Sequence, residues 1–389
     1  MNRKIYIQKC AKIIAVVLLL SVLLFIEKYL LSADADNVCV QPNPDYKYVL
    51  LWTSPKTEPF VFIGPGRSGF IGRNCSYTNC YVTADRDYFC DYTKFHAIVF
   101  AMSEVRHYSS LQLPWYRSPE QKYVFSSVES SHYYPVCSDR FNDYFNWTWS
   151  YRLDSNCRWE YIAIRNENGN VIGPNKIMHW MKLNDMRPVS EDFKDSLKSK
   201  TKAAAWFASN CPAYSHREKF VEKLQMKLNK YRLKIDIYGK CGNLTCPRQN
   251  RQLCLDMIKK DYYFYLSFEN SFSEDYVTEK LLHALQNDAV PIVYGKANYT
   301  RFMPDGIYLN ALTLGPEKLA KEMNYLINNP KKYADYFKWK NHYSYHSRGE
   351  SEETDDYCAF CKLLNDEEKF RRKSVIEDFR KWWDSPKFC

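Results

Sequence analysis

The sequence predicts an α/β protein built from two Rossmann-like domains, and three observations carry that prediction. Short apolar runs alternate with amphipathic or polar segments along most of the 389 residues. A polar, charged stretch at 184–202, NDMRPVSEDFKDSLKSKTK, separates that alternation into two series. The length leaves room for two full hydrophobic cores, which excludes a single small domain.

Taken in order, the chain begins with Arg3, Lys4, Lys9 and Lys12, then runs through uncharged, mostly apolar residues from Ile13 to Ile26, before Glu27 and Lys28. As a helix that run spans roughly 21 Å, short for a plasma-membrane span. With lysine snorkelling it reads as a signal-anchor over 13–31, after a tail at 1–12 and before a stem at 32–47. A cleaved signal peptide is the alternative, and Ala33, Asp34 and Ala35 fit its cleavage pattern. Tyr48 to Thr53, Phe95 to Met102 and Tyr123 to Glu129 read as strands, the third ending in a carboxylate.

Beyond 184–202, Ala203 to Ser209 reads as a strand of small residues, followed by a helix from Ser215. Ser215 and Glu218 have capping-box spacing, and Phe220, Val221, Leu224 and Leu228 form its buried stripe. Arg217 falls in the first turn, where a guanidinium beside free N–H groups suits an anion. Leu233 to Tyr238 is the next strand and 248–260 the next helix. Tyr262 to Phe268 is apolar with little alternation, as expected of a strand buried on both faces. Tyr276 to Gln286 has helical spacing, with Val277, Leu281, Ala284 and Leu285 on one face and Tyr276, Glu279, Lys280 and His283 on another. Ala289 to Tyr294 closes this strand, helix, strand unit. The loop 269–275 therefore sits at the carboxyl end of a parallel strand, where open α/β sheets bind ligands. Gly315 to Asn341 reads as helix broken by Pro330, and Glu367 to Trp383 as one amphipathic segment packing across the domains.

Lys280 near a helix start suits a phosphate, and the Glu279 carboxylate could accept two hydroxyl hydrogen bonds, as a ribose would offer. Together they suggest a nucleotide; the plain alternative is a solvated helix face with neighbouring opposite charges. The net charge of +10 is scattered among 45 acidic residues, without a basic run, so nucleic-acid binding is not expected. No GxGxxG is present, which disfavours a dinucleotide redox enzyme. Asp85, Arg86 and Asp87 spell DxD, a pattern common by chance, and no metal site is assigned. Fourteen cysteines and sequons at Asn74, Asn146, Asn243 and Asn298 point to an oxidising, luminal compartment. Cys358 and Cys361 have CxxC spacing without a second CxxC, so a structural disulfide is expected rather than zinc; no connectivity follows from spacing.

FENSFSEDYVTEKLLHAL, followed by AVPIVYG and NYTRFMP, closely resembles the donor-binding signature of the α1,3-fucosyltransferases, read as FENS, DYxTEK, VPxVxG and NYxxFxP. The likeness extends over roughly residues 48 to 380, strongest from 200 to 310. QKYVFSSVESS resembles the segment in which a strand leads to the catalytic glutamate, here Glu129. Tyr151, Arg152, Asp154 and Ser155 match a YRxDS sequence, and Arg217 matches SNxxxxxxR. Cys157, Arg158 and Trp159 depart from the pattern that follows YRxDS in relatives, and the strand near Phe100 lacks their histidines. The family also has a carboxyl-terminal CxxC.

The resemblance implies a GT-B type fold, two Rossmann-like domains facing a cleft. It implies an acceptor-binding domain at 48–190, a GDP-fucose-binding domain at 191–345 and a disulfide-bonded helical segment at 346–389. The implied reaction is inverting transfer of L-fucose from GDP-fucose to the 3-hydroxyl of GlcNAc in N-glycans or LacNAc and LacdiNAc units. Glu129 would be the base, Arg217 and Lys280 would meet the diphosphate, Glu279 and Tyr276 the ribose and sugar-phosphate region, and Asn270 would line the pocket. No cofactor is implied as obligatory, and a divalent cation, Mn or Mg, would at most stimulate. The family resemblance also implies a type II Golgi membrane protein acting on glycoprotein glycans; homodimerisation stays open. The alternative is a catalytically silent luminal protein of the same fold that binds nucleotide sugar or glycan.

Overall fold

The computed structural model describes residues 20–23, 39–383 and 387–389. The expected anchor at 13–31 and tail at 1–12 lie outside the described residues except for a helical stretch at 20–23. Among the described residues no helix is long and apolar enough to cross a membrane. Residues 39–43 and 86–92 belong to a small unit held by a Cys39–Cys90 disulfide and a bond from Val40 N to Tyr88 O. Everything below concerns the larger unit, residues 44–85 and 93–389.

Lys47–Leu51 (β1), Cys80–Thr83 (β2), Ala97–Ala101 (β3), Lys122–Ser127 (β4), Trp147–Ser150 (β5) and Cys157–Arg158 (β6) form a parallel sheet in the order β2-β1-β3-β4-β5-β6. β3 reads AIVFA with every residue buried, because both faces of the sheet are covered. The helix Asp356–Asn365 covers one face, setting Tyr357, Phe360 and Leu364 among Val49, Val99, Val124 and Trp149. Phe379 and Trp383 cover the other, edge-on to Phe125.

The carboxyl-terminal segment is therefore part of the first sheet's core, and it is not one helix. Two short helices, Glu367–Arg371 and Phe379–Trp382, flank a non-helical stretch. The backbone there bonds sideways instead of along a helix: Arg372 O accepts from Lys122 Nζ, Ser374 O from Asn146 Nδ2, and Ile376 N donates to Phe145 O.

Ile162–Asn166 (β7) and Val171–Gly173 (β8) follow, and then Lys202–Phe207 (β9), Ile235–Tyr238 (β10), Tyr262–Phe268 (β11), Val290–Tyr294 (β12) and Leu309–Asn310 (β13) make a second parallel sheet in the order β10-β9-β11-β12-β13. Tyr343–Ser347 (β14) pairs antiparallel with β7 in a third sheet, β14-β7-β8, which the sequence did not suggest. Two parallel α/β sheets with helices between their strands match the GT-B type architecture expected.

Several boundaries moved. The helix read from Ser215 begins at Arg217, and no capping box forms: His216, at φ 53°, is the N-cap, while Ser215 Oγ donates to Glu269 O. The helix read from Tyr276 begins at Glu279, because Asp275 takes φ 57° and Thr278 N donates to a side chain instead of a helical carbonyl. Residues 248–250 form a single 3₁₀ turn ahead of the helix Arg251–Asp261. The helix read from Gly315 starts at Ala311 and is kinked at Gly315, and Pro330 starts a new helix, Pro330–Asp335.

Cys358 and Cys361 are both disulfide-bonded, though not to each other: the pairs are Cys75–Cys358 and Cys80–Cys361, which fasten the 356–365 helix to the first sheet. Cys137–Cys389, Cys211–Cys241 and Cys246–Cys254 are also bonded, and Cys157 is free and buried. Among the described residues one group has metal-like spacing, Cys75, Asp355 and Cys358. Its two sulfurs are bonded to each other in one disulfide, and its carboxylate caps the 356–365 helix by accepting from Tyr357 N and Cys358 N.

Candidate active site

The carboxyl ends of β4 and β11 meet, and the side chains that sequence reasoning picked out gather there. β11 delivers Glu269, which is 1% exposed. A carboxylate so deep needs donors on both oxygens. Oε1 accepts from Thr278 N at 2.8 Å and from Thr278 Oγ1 at 3.0 Å, and Oε2 accepts from Lys280 Nζ at 3.0 Å. Burial pushes the Glu269 carboxyl up, and the Lys280 ammonium pulls it back. Burial alone would lower Lys280, but Glu269 and Glu279 outweigh it and hold the ammonium above its ordinary value. Lys280 Nζ also donates to Thr278 Oγ1 at 2.7 Å, so two of its three hydrogens are engaged and one is left for a ligand oxygen.

Glu279 lies 3.7 Å from Lys280 with its side chain 45% exposed; burial opposes its charge, yet the Lys280 ammonium chiefly holds its carboxyl below the usual range. Asn270 is buried, its Oδ1 accepting from Ser271 Oγ and its O from Ser215 N. Arg217 is 2% exposed, with Nη1 donating to Phe268 O at 2.6 Å and Nη2 to Asn210 O at 3.1 Å. Its reach toward a ligand is thus shorter than the sequence suggested, and its charge acts from beneath the strand end. His283, expected on the ligand face, is hydrogen-bonded to Arg251 and Tyr265 and lowered to about 4 by burial, so it is neutral. Gly295 follows β12 against this group; a Cβ there would lie 2.5 Å from Tyr299 Oη.

On the facing side, Glu129 follows β4 and its Oε2 accepts from Tyr276 Oη at 2.7 Å. Tyr276 is 2% exposed, and burial and Glu129 push its phenol far above the ordinary value, so it serves as a donor. It therefore donates to the carboxylate at the end of β4, a contact the sequence did not suggest. Tyr151 packs edge-on to Tyr276 at 4.9 Å and its Oη accepts from Ser131 N. Two serine pairs, Ser130 with Ser271 at 2.6 Å and Ser131 with Ser273 at 2.9 Å, close the seam between the loops.

An ionic cluster beside Tyr276 was not foreseen. Asp275, whose carboxylate is fully buried, accepts from Leu153 N at 3.2 Å and pairs with Arg301 at 2.5 Å and Lys176 at 2.8 Å. Lys176 and Arg301 also hold Glu274, and Arg152 forks onto Asp154 with two bonds of 2.9 Å. Arg152, Leu153 and Asp154 sit in the YRxDS stretch, Arg301 in the NYxxFxP stretch and Glu274 and Asp275 just ahead of Tyr276, the signal that could have located them; Lys176 lies outside all of these motifs.

Of the four sequons, Asn74, Asn243 and Asn298 are exposed. Asn146 departs from the expectation: its Oδ1 accepts from Tyr123 N at 2.7 Å and its Nδ2 donates to Ser374 O at 2.6 Å, so the amide is built into the fold.

Comparison with known proteins completes this picture. A model described as the carboxyl-terminal part of glycosyltransferase family 10 (fucosyltransferase) matches residues 197–382, and one for the amino-terminal part of fucosyltransferases matches 44–162. Alpha-(1,3)-fucosyltransferase C of Drosophila melanogaster is 34% identical over 320 residues, covering 80% of this chain and 70% of its own. Glycoprotein 3-alpha-L-fucosyltransferase A of the same organism is 30% identical over 339 residues, and this chain spans 58% of that relative's length. A human 4-galactosyl-N-acetylglucosaminide 3-alpha-L-fucosyltransferase is 30% identical over 369 residues, 90% of each chain. A crystal structure of an α1,3-fucosyltransferase with GDP-fucose aligns over 87% of this chain and 94% of its own at 14% identity and TM-score 0.48, too loose a likeness to carry argument.

Proposed function

The chain belongs to glycosyltransferase family 10, the fucosyltransferases, and on that premise we infer that it moves L-fucose from GDP-fucose, with inversion, onto the 3-hydroxyl of a GlcNAc-containing glycan. The observation that carries the reading is the Glu129–Tyr276 contact, which joins a carboxylate at the end of one sheet to the nucleotide-like loop at the end of the other. A sugar hydroxyl is a poor nucleophile, and a carboxylate within hydrogen-bond reach can remove its proton during attack. Tyr276 holds Oε2, which orients the carboxylate and leaves Oε1 to face the incoming hydroxyl.

As the anomeric bond to GDP breaks, charge grows on the leaving diphosphate. The third Lys280 hydrogen donates to it, the buried Arg217 charge supports it, and Glu279, half exposed, accepts from ribose hydroxyls. A divalent cation would at most add to this. The six disulfides among the described residues and an apolar leader favour a luminal, type II Golgi enzyme, with Asn74, Asn243 and Asn298 open to glycosylation.

The test is transfer from labelled GDP-fucose by the full chain, with EDTA, to chitobiose-core, LacNAc and LacdiNAc acceptors. Wild type is expected to transfer to at least one of them, and Glu129→Gln to lose roughly a hundredfold or more. Full activity in Glu129→Gln would remove the base assignment. GDP binding without transfer by wild type would favour a silent binding protein.

A further inference from the structure

A cavity of about 210 Å³ opens beside Glu129, lined by Thr57, Glu58, Met102, Ser126, Val128 and Tyr134 among others. Three of its features point to one ligand group. Ser126, the fifth residue of β4, is 0% exposed, and its Oγ has no hydrogen-bond partner, although a buried hydroxyl left unpaired is costly. The neighbouring Ser127 has its partner, Glu129 O, at 2.8 Å, so the orphan is particular to Ser126. Glu58 supplies a carboxylate to the same space, and Met102 and Val128, both buried, give it an apolar wall.

We propose that this cavity is the subsite for the 2-acetamido group of the acceptor sugar, with Ser126 Oγ donating to the amide carbonyl, Glu58 accepting from the amide N–H and the methyl resting on Met102 and Val128. This rests on the transfer reading above and deepens it. The hydroxyl that Glu129 deprotonates is on C3, so a group entering an adjoining cavity belongs to C2 or C4. In the acceptors considered, the C4 branch is a further sugar and leads onward, whereas the acetamido group ends. The β4 side of the cavity is closed by Ser126, Ser127 and Met102, all 3% exposed or less, which suits a group that terminates. At roughly 30 Å³ per water, the space is that of about seven waters, ample for an acetamido group. Burial and the Glu129 charge both raise the Glu58 carboxyl and Arg348 lowers it; as either acid or carboxylate it retains an oxygen that can accept the N–H.

The experiment compares kcat/KM for N-acetyllactosamine and for lactose, which carries a hydroxyl in place of the acetamido group, using the full chain. Wild type is expected to prefer the acetamido acceptor by about a hundredfold or more, because a site that hydrogen-bonds a group strongly rejects an analogue lacking it. Ser126→Ala and Glu58→Ala are each expected to shrink that ratio by about tenfold, and Glu58→Gln, which keeps an acceptor oxygen, to restore most of it. GDP binding reports that each variant is folded. Variants that slow both acceptors alike, with the ratio intact, would overturn the subsite and leave the transfer reading standing. A wild type that binds GDP yet acts on no GlcNAc-containing acceptor would overturn both.

Discussion

Replacing Glu269 by glutamine takes one charge from the centre of the donor side while keeping the side chain's length and an oxygen for Thr278 N. The Lys280 Nζ to Oε2 distance is 3.0 Å, and at an effective dielectric of about 20 that separation is worth roughly 5 kcal/mol. Neutralising a carboxylate that is 1% exposed returns part of its desolvation cost, and the net loss is about 2–3 kcal/mol. For a folded unit of roughly 350 residues, that lowers the thermal midpoint by about 3–4 °C. Lys280→Met leaves Glu269 buried without its counter-ion and destabilises by a similar amount. The double variant removes both charges together and is expected to recover most of the loss, since a buried pair exchanged for uncharged groups is often neutral. Calorimetry on the four proteins therefore closes a double-mutant cycle with an expected coupling of about 4 kcal/mol. Effects that add within about 0.5 kcal/mol would refute the idea that Glu269 and Lys280 stabilise one another.

Two further outcomes follow from the same geometry. Burial opposes ionisation of Asp154 and Glu274, yet Arg152 and Lys176 chiefly outweigh it, so both carboxyls lie below their ordinary values. The stability they contribute is present above the ordinary carboxyl range near pH 4 and is lost as pH falls through the lowered values; Asp154→Asn should flatten the acid side of a midpoint-versus-pH curve, and an unchanged slope would dismiss the cluster as a source of acid sensitivity. Burial, followed by Asp356, pushes the Cys157 thiol well up, so iodoacetamide at pH 8 should leave it unmodified in the native protein and label it after urea unfolding, as read by mass spectrometry; rapid native labelling would contradict its burial.

The elements that sequence located well are those whose two faces are both covered. β11 was read residue for residue at Tyr262–Phe268, since a strand with no solvent face has no polar interruption to blur its ends. Helix starts are read less well, because Arg217 and Glu279 follow residues held by distant partners: Ser215 by its Oγ donating to the Glu269 backbone carbonyl, and Thr278 by its N–H donating to the Glu269 carboxylate. Glu129 and Tyr276 were both singled out, but their contact spans 147 residues and no local spacing encodes it. The Asp275 cluster was hidden for the same reason. The β7–β8 hairpin did carry a local signal, Asn168-Gly169 with Gly169 at φ 80°, and β14 did not, since it completes that sheet from far along the chain.

The two disulfides that fasten the 356–365 helix to the first sheet change what kind of object the polypeptide is. Cys75 and Cys80 precede the second sheet and Cys358 and Cys361 follow it, so the second sheet hangs within a covalent ring closed on the first. Closing a circuit of this length removes about 6 kcal/mol of disorder from the unfolded chain in the loop-entropy picture. A protease that nicks the charged linker at 184–202 opens the ring without parting it. The severed ends stay within one particle, and the halves remain neighbours until a reductant reaches the sulfurs.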